Sequence, residues 1–214
     1  AIALQVHRET RRALRDRVRA SMTDKSMATI EEIRIERWRP DRSRVSEDIV
    51  MLGDVLHACV HAGASVSFVL PFSIEDANAF WRDKVLRAVT VGNCSVLVAR
   101  SAKRIVGTVQ LDLATPPNQA HRAEARKLLV HPEWRRRGIA RRLMLQIEEW
   151  ARELGRSLIT LDTVSGGLAE PLYESIGYVP VGVIPRYARK ADSEELEGTV
   201  VMYKELGADA GVST

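Results

Sequence analysis

The chain is poor in cysteine and lacks long apolar runs. Its 214 residues include two cysteines, Cys59 and Cys94, and no C-x-x-C pair, so the pattern predicts neither a disulfide framework nor a zinc site. No apolar run approaches the roughly 18 residues that a membrane helix needs, and the N-terminus lacks the apolar region of a secretory signal. We therefore expect a protein of the reducing cytoplasm, with no metal and no membrane partner.

Broad positive charge is also lacking outside the N-terminus. The first 25 residues hold seven Lys and Arg against three Asp and Glu, which accounts for the whole formal net charge of +4. The rest of the chain is electrically balanced, which argues against nucleic-acid binding by the main domain. For residues 1–28 three interpretations stay open: a disordered or helical extension, an organelle-targeting segment, or a translated upstream stretch. The length suits one substantial domain, which we place at 29–208, with a tail at 209–214.

The most informative stretch is a predicted strand, loop and helix at residues 124–154. An apolar run ends the strand at Val130, and His131-Pro132 stops it because proline has no N–H to donate to a neighbouring strand. An arginine-rich loop with Gly138 follows. Apolar residues then recur at helical spacing: Ile139, Leu143, Ile147, Trp150, Ala151 and Leu154.

The chemistry of this loop favours an anion, and phosphate in particular. Gly138 allows close approach of the backbone to a ligand, and the first helical turn offers unpaired N–H groups at the positive end of the helix dipole. Five arginines surround it: Arg135, Arg136, Arg137, Arg141 and Arg142. The alternative is a solvated basic helix start. Neither G-x-x-x-x-G-K-[ST] nor a Rossmann glycine motif is present, so other phosphate loops are not indicated.

Hydrophobic periodicity predicts a mixed α/β fold. Asp41-Arg42-Ser43 offers an N-cap for the first helix, and Ser73 with Asp76 resembles a capping box for the second. The loop 61–68 is either a wall of a substrate site or only the end of the first helix. The predicted elements are strand 31–38, helix 45–61, helix 74–89, strands 95–100, 105–113 and 121–130, the helix after Gly138, strand 157–163, helix 167–175, and strands 178–183 and 199–206.

Two motifs resemble those of the GNAT superfamily of N-acetyltransferases. Arg135-x-x-Gly138-x-Ala140 resembles the family's acetyl-CoA pyrophosphate loop, Q/R-x-x-G-x-G/A, and 169–178 (AEPLYESIGY) resembles its A-x-x-[FL]-Y-x-x-x-G-[FY] segment. The likeness covers about residues 30–206. It implies a central, mostly antiparallel twisted sheet flanked by helices, with acetyl-CoA at the splayed middle strands.

The resemblance also implies roles for particular residues. Tyr173 would protonate the leaving thiolate, and Glu124 and Asp162 would hold the acceptor amine and help to remove its proton. The alternatives are a core tyrosine, a surface pairing of Glu124 with Arg122 or Arg126, and an Asp162 that caps a turn. Gly166 departs from the asparagine often found at its position. The residues implied to bind acetyl-CoA are Leu129, Val130, Arg135, Arg136, Arg137, Gly138, Ile139, Ala140 and Arg141.

A narrower resemblance concerns the acceptor. Three segments together resemble the tabtoxin resistance protein type, which acetylates a toxic amino-acid-like β-lactam: residues 60–68 (VHAGASVSF), Arg122-Ala123-Glu124-x-x-Lys127-Leu128, and Leu161-Asp162-Thr163 with Gly166. This implies direct attack on acetyl-CoA by a primary amine of a small amino-acid-like molecule, such as a toxin or antibiotic, and allows a homodimer. The alternatives are acetylation of a protein N-terminus or lysine, a non-catalytic acetyl-CoA-binding regulatory module, and nucleic-acid binding through the basic extension.

Overall fold

The computed structural model describes residues 32–207, and the expectations for 1–28 and 209–214 lie outside this range. Seven strands form one sheet in the order β1-β2-β3-β4-β5-β7-β6. Neighbouring strands are antiparallel except β4 and β5, which are parallel. This confirms the predicted mixed α/β fold. The strands are β1 (Ile33–Arg37), β2 (Cys94–Ser101), β3 (Arg104–Asp112), β4 (Arg122–Val130), β5 (Leu158–Val164), β6 (Val179–Arg189) and β7 (Leu196–Glu205).

Helices flank this sheet. They are α1 (Val45–His61), α2 (Ile74–Ala79), α3 (Leu86–Thr90), α4 (Ile139–Glu153) and α5 (Glu170–Ser175), with a π-helical turn, Phe80–Val85, between α2 and α3. The predicted capping box of Ser73 and Asp76 is confirmed. The N-cap predicted within 41–43 is wrong, because Arg44 is the N-cap residue and no side chain caps α1. The Asp41 carboxylate instead accepts hydrogen bonds from Ser43, which form a turn ahead of the helix.

The two faces of the sheet carry separate apolar cores. Along β2, Val96 and Val98 pack with α1 and the π-helical turn, whereas Leu97 and Ala99 pack with α4 and α5. Successive residues of a strand point to opposite faces, so β2 is covered on both sides. We call these the α1 face and the α4 face.

The apolar stripe of α4 fixes the orientation of that helix. Ile139, Leu143 and Ile147 have at most 2% of their surface exposed, and they pack against the central strands. Burial of each such side chain stabilises the fold by roughly 1.5–3 kcal/mol. Packing of this stripe therefore fixes the position of the α4 N-terminus beside the end of β4.

A bulge in β4 opens the sheet at its centre. The β3–β4 register shifts between Thr108 and Gln110, and Lys127 takes a left-handed φ of 50°. Only three residues of β4, Arg122 to Glu124, pair with β5. From Ala125 onward the two strands diverge, and the backbone of β4 on that side has no neighbouring strand. We call this opening the β4–β5 gap.

Candidate active site

The loop before α4 has the backbone geometry of an anion site. Arg136 and Gly138 have left-handed φ values of 64° and 73°, and Gly138 is the N-cap residue, with no side chain capping the helix. The N–H groups of the first turn are therefore available to a ligand. A Cβ on Gly138 would meet nothing within 4 Å. Glycine is needed here for its φ, and the space around it stays open.

The predicted arginines of this loop are exposed, and four of them donate hydrogen bonds: Arg135 and Arg142 to the carbonyls of Val130 and Ile33, and Arg137 and Arg141 as follows. Arg137 donates to the Glu133 carbonyl at 3.3 Å, and its guanidinium lies 4.6 Å from the centre of the Trp134 ring. Arg141 donates to Ser175 Oγ at 3.0 Å, which ties the start of α4 to the end of α5. Positive charge is thus held around the open first turn.

Val130 is the strand residue that turns its backbone toward the β4–β5 gap. His131 N donates to Val106 O, so Val130 and Gly107 form a non-hydrogen-bonded pair and the backbone groups of Val130 point away from β3. By the same alternation Leu129, which is buried, directs its groups toward Thr108.

The carbonyl of Val130 already has partners, which leaves its N–H as the free group. Cys59 Sγ and Arg135 Nε each donate to this oxygen at 3.3 Å. Burial raises the pKa of the Cys59 thiol, which keeps the thiol protonated as a donor.

Glu124 lies in an ion pair. Arg126 donates to both of its carboxylate oxygens, at 2.8 and 3.2 Å, and the third guanidinium nitrogen of Arg126 lies 2.8 Å from Asp112 Oδ2. The hydrogen bond to Glu124 is the main cause that raises the pKa of Arg126. Of the two surface partners considered for Glu124, the structure has Arg126. Arg122 instead donates to Gln119 and Thr160.

Asp162 lies within β5 on the same face as Glu124. Glu124 is opposite Thr160 in the parallel register, and Asp162 follows two residues later, so both side chains point to the α1 face. Thr199 Oγ1 of β7 lies 3.1 Å from Asp162 Oδ2 and 2.8 Å from the Thr163 carbonyl oxygen, so its single proton is shared between two acceptors. Within residues 32–207 no other group donates to this carboxylate, so its second oxygen is available. The alternative role as a turn cap has no bond to support it.

Tyr173 approaches the gap from the α4 face. Its side chain is 7% exposed and meets the Tyr178 ring edge to face, with ring centres 5.8 Å apart. Burial, and then the nearby Asp162 carboxylate, raise the pKa of Tyr173 far above its ordinary value. The phenol therefore stays protonated, and it makes no hydrogen bond to another described residue. Tyr173 is thus a core tyrosine with a protonated phenol within electrostatic reach of Asp162.

The helix that carries Tyr173 is anchored by a buried ion pair. Lys204 of β7 donates to the Ile176 carbonyl at 2.7 Å and to Glu148 of α4, and the Glu148 side chain is only 3% exposed. This ion pair joins α4, β7 and the end of α5, and it thereby fixes the position of Tyr173.

Two further residues at the gap carry no role in the sequence-based prediction. Lys127 Nζ donates to Ser67 Oγ at 3.1 Å, and it lies 5.7 Å from the centre of the Phe68 ring. Thr199 holds Asp162 from the neighbouring strand. The sequence gives no signal for either contact, because each depends on a bulge or a strand register. The loop after His61 does reach the site, which supports its interpretation as a wall.

Within residues 32–207, no group of three or more His, Cys, Asp or Glu is placed to hold a metal ion. In the same range no helix combines the length and apolar character needed to span a membrane.

Comparison with known proteins identifies a similar domain family and similar chains. Residues 92–180 match the acetyltransferase (GNAT) domain family. Human N-acetyltransferase 8 and N-acetyltransferase 8B are each 37% identical over 93 residues, which is 42% of this chain. The chain spans 40% of the length of these curated relatives.

Solved structures show the same fold over most of the chain. YncA from Salmonella typhimurium, solved with its cofactor acetyl-CoA, superposes with a TM-score of 0.65 at 16% identity, over 85% of this chain and 98% of that one. An N-acetyltransferase from Staphylococcus aureus Mu50 gives 0.67 at 15% identity, over 82% and 99%. The chain therefore has the GNAT fold, and its residues 92–180 match the acetyltransferase domain of that family.

Proposed function

We propose that the chain is an N-acetyltransferase that moves acetyl from acetyl-CoA to a primary amine of a small amino-acid-like molecule. One observation carries the proposal: the β4–β5 gap has an open anion loop at one end, and the Asp162 carboxylate is within electrostatic reach of the buried Tyr173 phenol. An anion loop alone would fit many phosphate ligands. A protonated phenol and a carboxylate that reach the same gap add a proton donor and an amine partner.

The residues of the gap fit the acetyl donor. Gly138 and the first turn of α4, with the N–H groups of Ile139 and Ala140, would hold the pyrophosphate, and the surrounding arginines would add charge. Val130 would donate its N–H to the pantetheine arm or to the thioester oxygen. We assign this role to Val130 in preference to Leu129 because of its direction. When bound, acetyl-CoA supplies a thioester whose carbonyl carbon accepts an amine nitrogen.

Different side chains of the gap would carry out the separate proton transfers of the reaction. Asp162 would hold the acceptor ammonium and pass its proton toward water. Glu124 is held by Arg126, so it would act by shaping the charge of the site or through a water molecule. As the new C–N bond forms and the C–S bond breaks, Tyr173 would give its proton to the departing sulfur. Cys59 is occupied by the Val130 carbonyl, which supports direct attack over an acyl-enzyme.

We further propose that the acceptor belongs to the class used by tabtoxin resistance proteins, a small amino-acid-like toxin or antibiotic, and that the enzyme acts in the cytoplasm. The hydrogen bond between Ser67 and Lys127 lines this side of the gap with polar groups, which suits a polar, amino-acid-like acceptor. A homodimer would cover the edge strand β6. This strand exposes apolar side chains that support such pairing: Val179, Val181, Val183 and Ile184.

The test has two parts on the full chain. Calorimetry would measure acetyl-CoA binding, and thiol release would measure turnover on amino acids, dipeptides, simple amines and basic peptides. We expect acetyl-CoA to bind and amino-acid-like amines to turn over, with strong losses in Asp162→Asn and Tyr173→Phe. Binding without turnover would favour a regulatory module, and a preference for basic peptides would favour a protein acetyltransferase. Absence of acetyl-CoA binding would overturn the proposal.

A further inference from the structure

The charged groups at the gap fall into a satisfied set and an unsatisfied set. Arg126 uses all three guanidinium nitrogens on Glu124 and Asp112, so its donors are all occupied by these two carboxylates. Asp162 keeps one carboxylate oxygen free of hydrogen bonds, and Lys127 makes one bond, to Ser67. An ammonium has three N–H donors. One anionic and one cationic group therefore remain with bonding capacity on the same side of the sheet.

Lys127 is held in place by an unusual backbone. Its φ of 50° is disfavoured for an L-residue with a side chain, and it lies at the bulge that opens the sheet. The Nζ then sits between the Ser67 hydroxyl and the Phe68 ring. Ser67 also has a left-handed φ, of 71°. Strain on both sides of one contact indicates a specific position for this cation.

The contact with Ser67 does not satisfy the charge of Lys127. A hydroxyl is a neutral partner, and burial lowers the pKa of Lys127, followed by repulsion from Arg126. Asp162 and Glu124 oppose this effect, which places them within electrostatic reach of Lys127. A carboxylate bound at Nζ would accept its free N–H groups in charge-assisted hydrogen bonds.

The order of these groups gives the acceptor a direction. In the proposed reaction Asp162 holds the amine, so the amine belongs at that carboxylate. Lys127 contacts the loop that contains Ser67, on the same face of the sheet as Asp162. We propose that Lys127 binds the carboxylate of a zwitterionic acceptor whose amine is held at Asp162, an inference that rests on the proposed acetyltransferase function. Lys127 is thus a specificity-determining residue that selects free amino acids and close analogues.

The experiment compares each amino acid of a panel with its own carboxamide, in the wild type and in Lys127→Met. The variant keeps the alkyl stem over Phe68 and removes the charge. We expect the wild type to prefer the acid. Lys127→Met should raise KM for the acid roughly 10- to 100-fold, the usual worth of a charge-assisted hydrogen bond, and leave the amide unchanged. Lys103→Met is the control, because Lys103 is exposed in the β2–β3 turn.

Charge reversal provides a second measurement. Lys127→Glu should shift preference from amino acids to diamines, whose second amine would pair with the new carboxylate, while acetyl-CoA affinity stays constant. An equal rise in KM for the acid and for the amide in Lys127→Met would overturn the proposal. Lys127 would then have only a structural role, which is to connect the loop to β4. A wild type that binds acetyl-CoA and acetylates only amines without a carboxylate would also overturn the proposal. That result would leave the acetyltransferase function standing, whereas loss of acetyl-CoA binding in the wild type would remove both.

Discussion

The two ends of the β4–β5 gap, the anion loop and the acceptor end, present different kinds of chemical group. The loop before α4 uses backbone geometry: left-handed residues, a glycine N-cap and the N–H groups of the first turn. The acceptor end uses side chains from strands and a loop that are distant in sequence, above all Asp162, Lys127 and Ser67. Backbone geometry follows from a short local motif, whereas a constellation of charges depends on register and topology. A site made of backbone N–H groups can bind any ligand that has a phosphate. A site made of charged side chains can discriminate between acceptor molecules.

The sharpest test of the acceptor end is Tyr173→Phe. Loss of the proton donor should lower kcat by about 10²- to 10⁴-fold, the usual range for general acid catalysis, with acetyl-CoA affinity unchanged. Steady-state kinetics and calorimetry measure the two quantities. Tyr178→Phe is the matched control, since its ring packs against Tyr173 but lies outside the proposed chemistry. An equal fall in kcat in both variants would reduce Tyr173 to a packing residue.

The buried ion pair of Lys204 and Glu148 connects α4, which follows the anion loop, to the end of α5, which carries Tyr173. Lys204→Met should lower the free energy of unfolding by about 3–5 kcal/mol, because it leaves the Glu148 charge buried without a partner. Urea unfolding measures this loss. Lys190→Met removes a lysine whose partner Glu195 is exposed, and it should leave the urea midpoint unchanged. Matching small effects in both would mean that the pair does not anchor α5.

At the anion loop the decisive change is Gly138→Ala. Forcing an alanine into a left-handed φ costs roughly 1–2 kcal/mol, and the resulting change of the loop should weaken acetyl-CoA binding about tenfold. Gly155→Ala, at the opposite end of α4, is an equivalent control: its φ is 71° and it also has open space around it. Both variants should lose similar stability, measured by thermal unfolding. Only the first should lose affinity, and equal affinities would contradict an anion site at Gly138.

The smallest expected effect concerns alkaline pH. A free tyrosine loses its proton near pH 10, but burial and Asp162 raise the pKa of Tyr173 well above that. The proton-donating form therefore persists up to and beyond pH 10, and the kcat profile should show no fall there from loss of the acid. Stability depends on pH in the same direction. The contribution of Tyr173 to the free energy of unfolding is complete below about pH 10 and declines as the pH rises toward the raised pKa of Tyr173 in the folded protein. A kcat profile with a descending limb near pH 10 would indicate that Tyr173 titrates normally.

The same contrast explains which features the sequence predicts. The strand, loop and helix around Gly138 and the Ser73–Asp76 capping box depend on residues within a few positions of each other, and these predictions match the structure. The pairing of Glu124 with Arg126 appears in the sequence only as one alternative. The choice between Arg122 and Arg126 depends on Gln119 and Thr160, which attract Arg122.

Other features have no local signal at all. The left-handed φ of Lys127 contradicts its intrinsic preference, and it is imposed by the shifted register with β3. The last two strands extend further into their connecting loop than predicted. β6 ends at Arg189 and not at residue 183, and β7 begins at Leu196 and not at residue 199. Their extensions pair with each other across register shifts, so their length is decided by mutual hydrogen bonding.

The short pairing of β4 with β5 also has a mechanical meaning. Three residue pairs join one half of the sheet, β1 to β4, to the other half, β5 to β7. A ligand that fills the gap would contact both halves of the sheet. Its binding free energy would therefore stabilise the association of the two halves. Hydrogen exchange of β4 and β5 should therefore slow together when acetyl-CoA binds, including at amides that the ligand never touches.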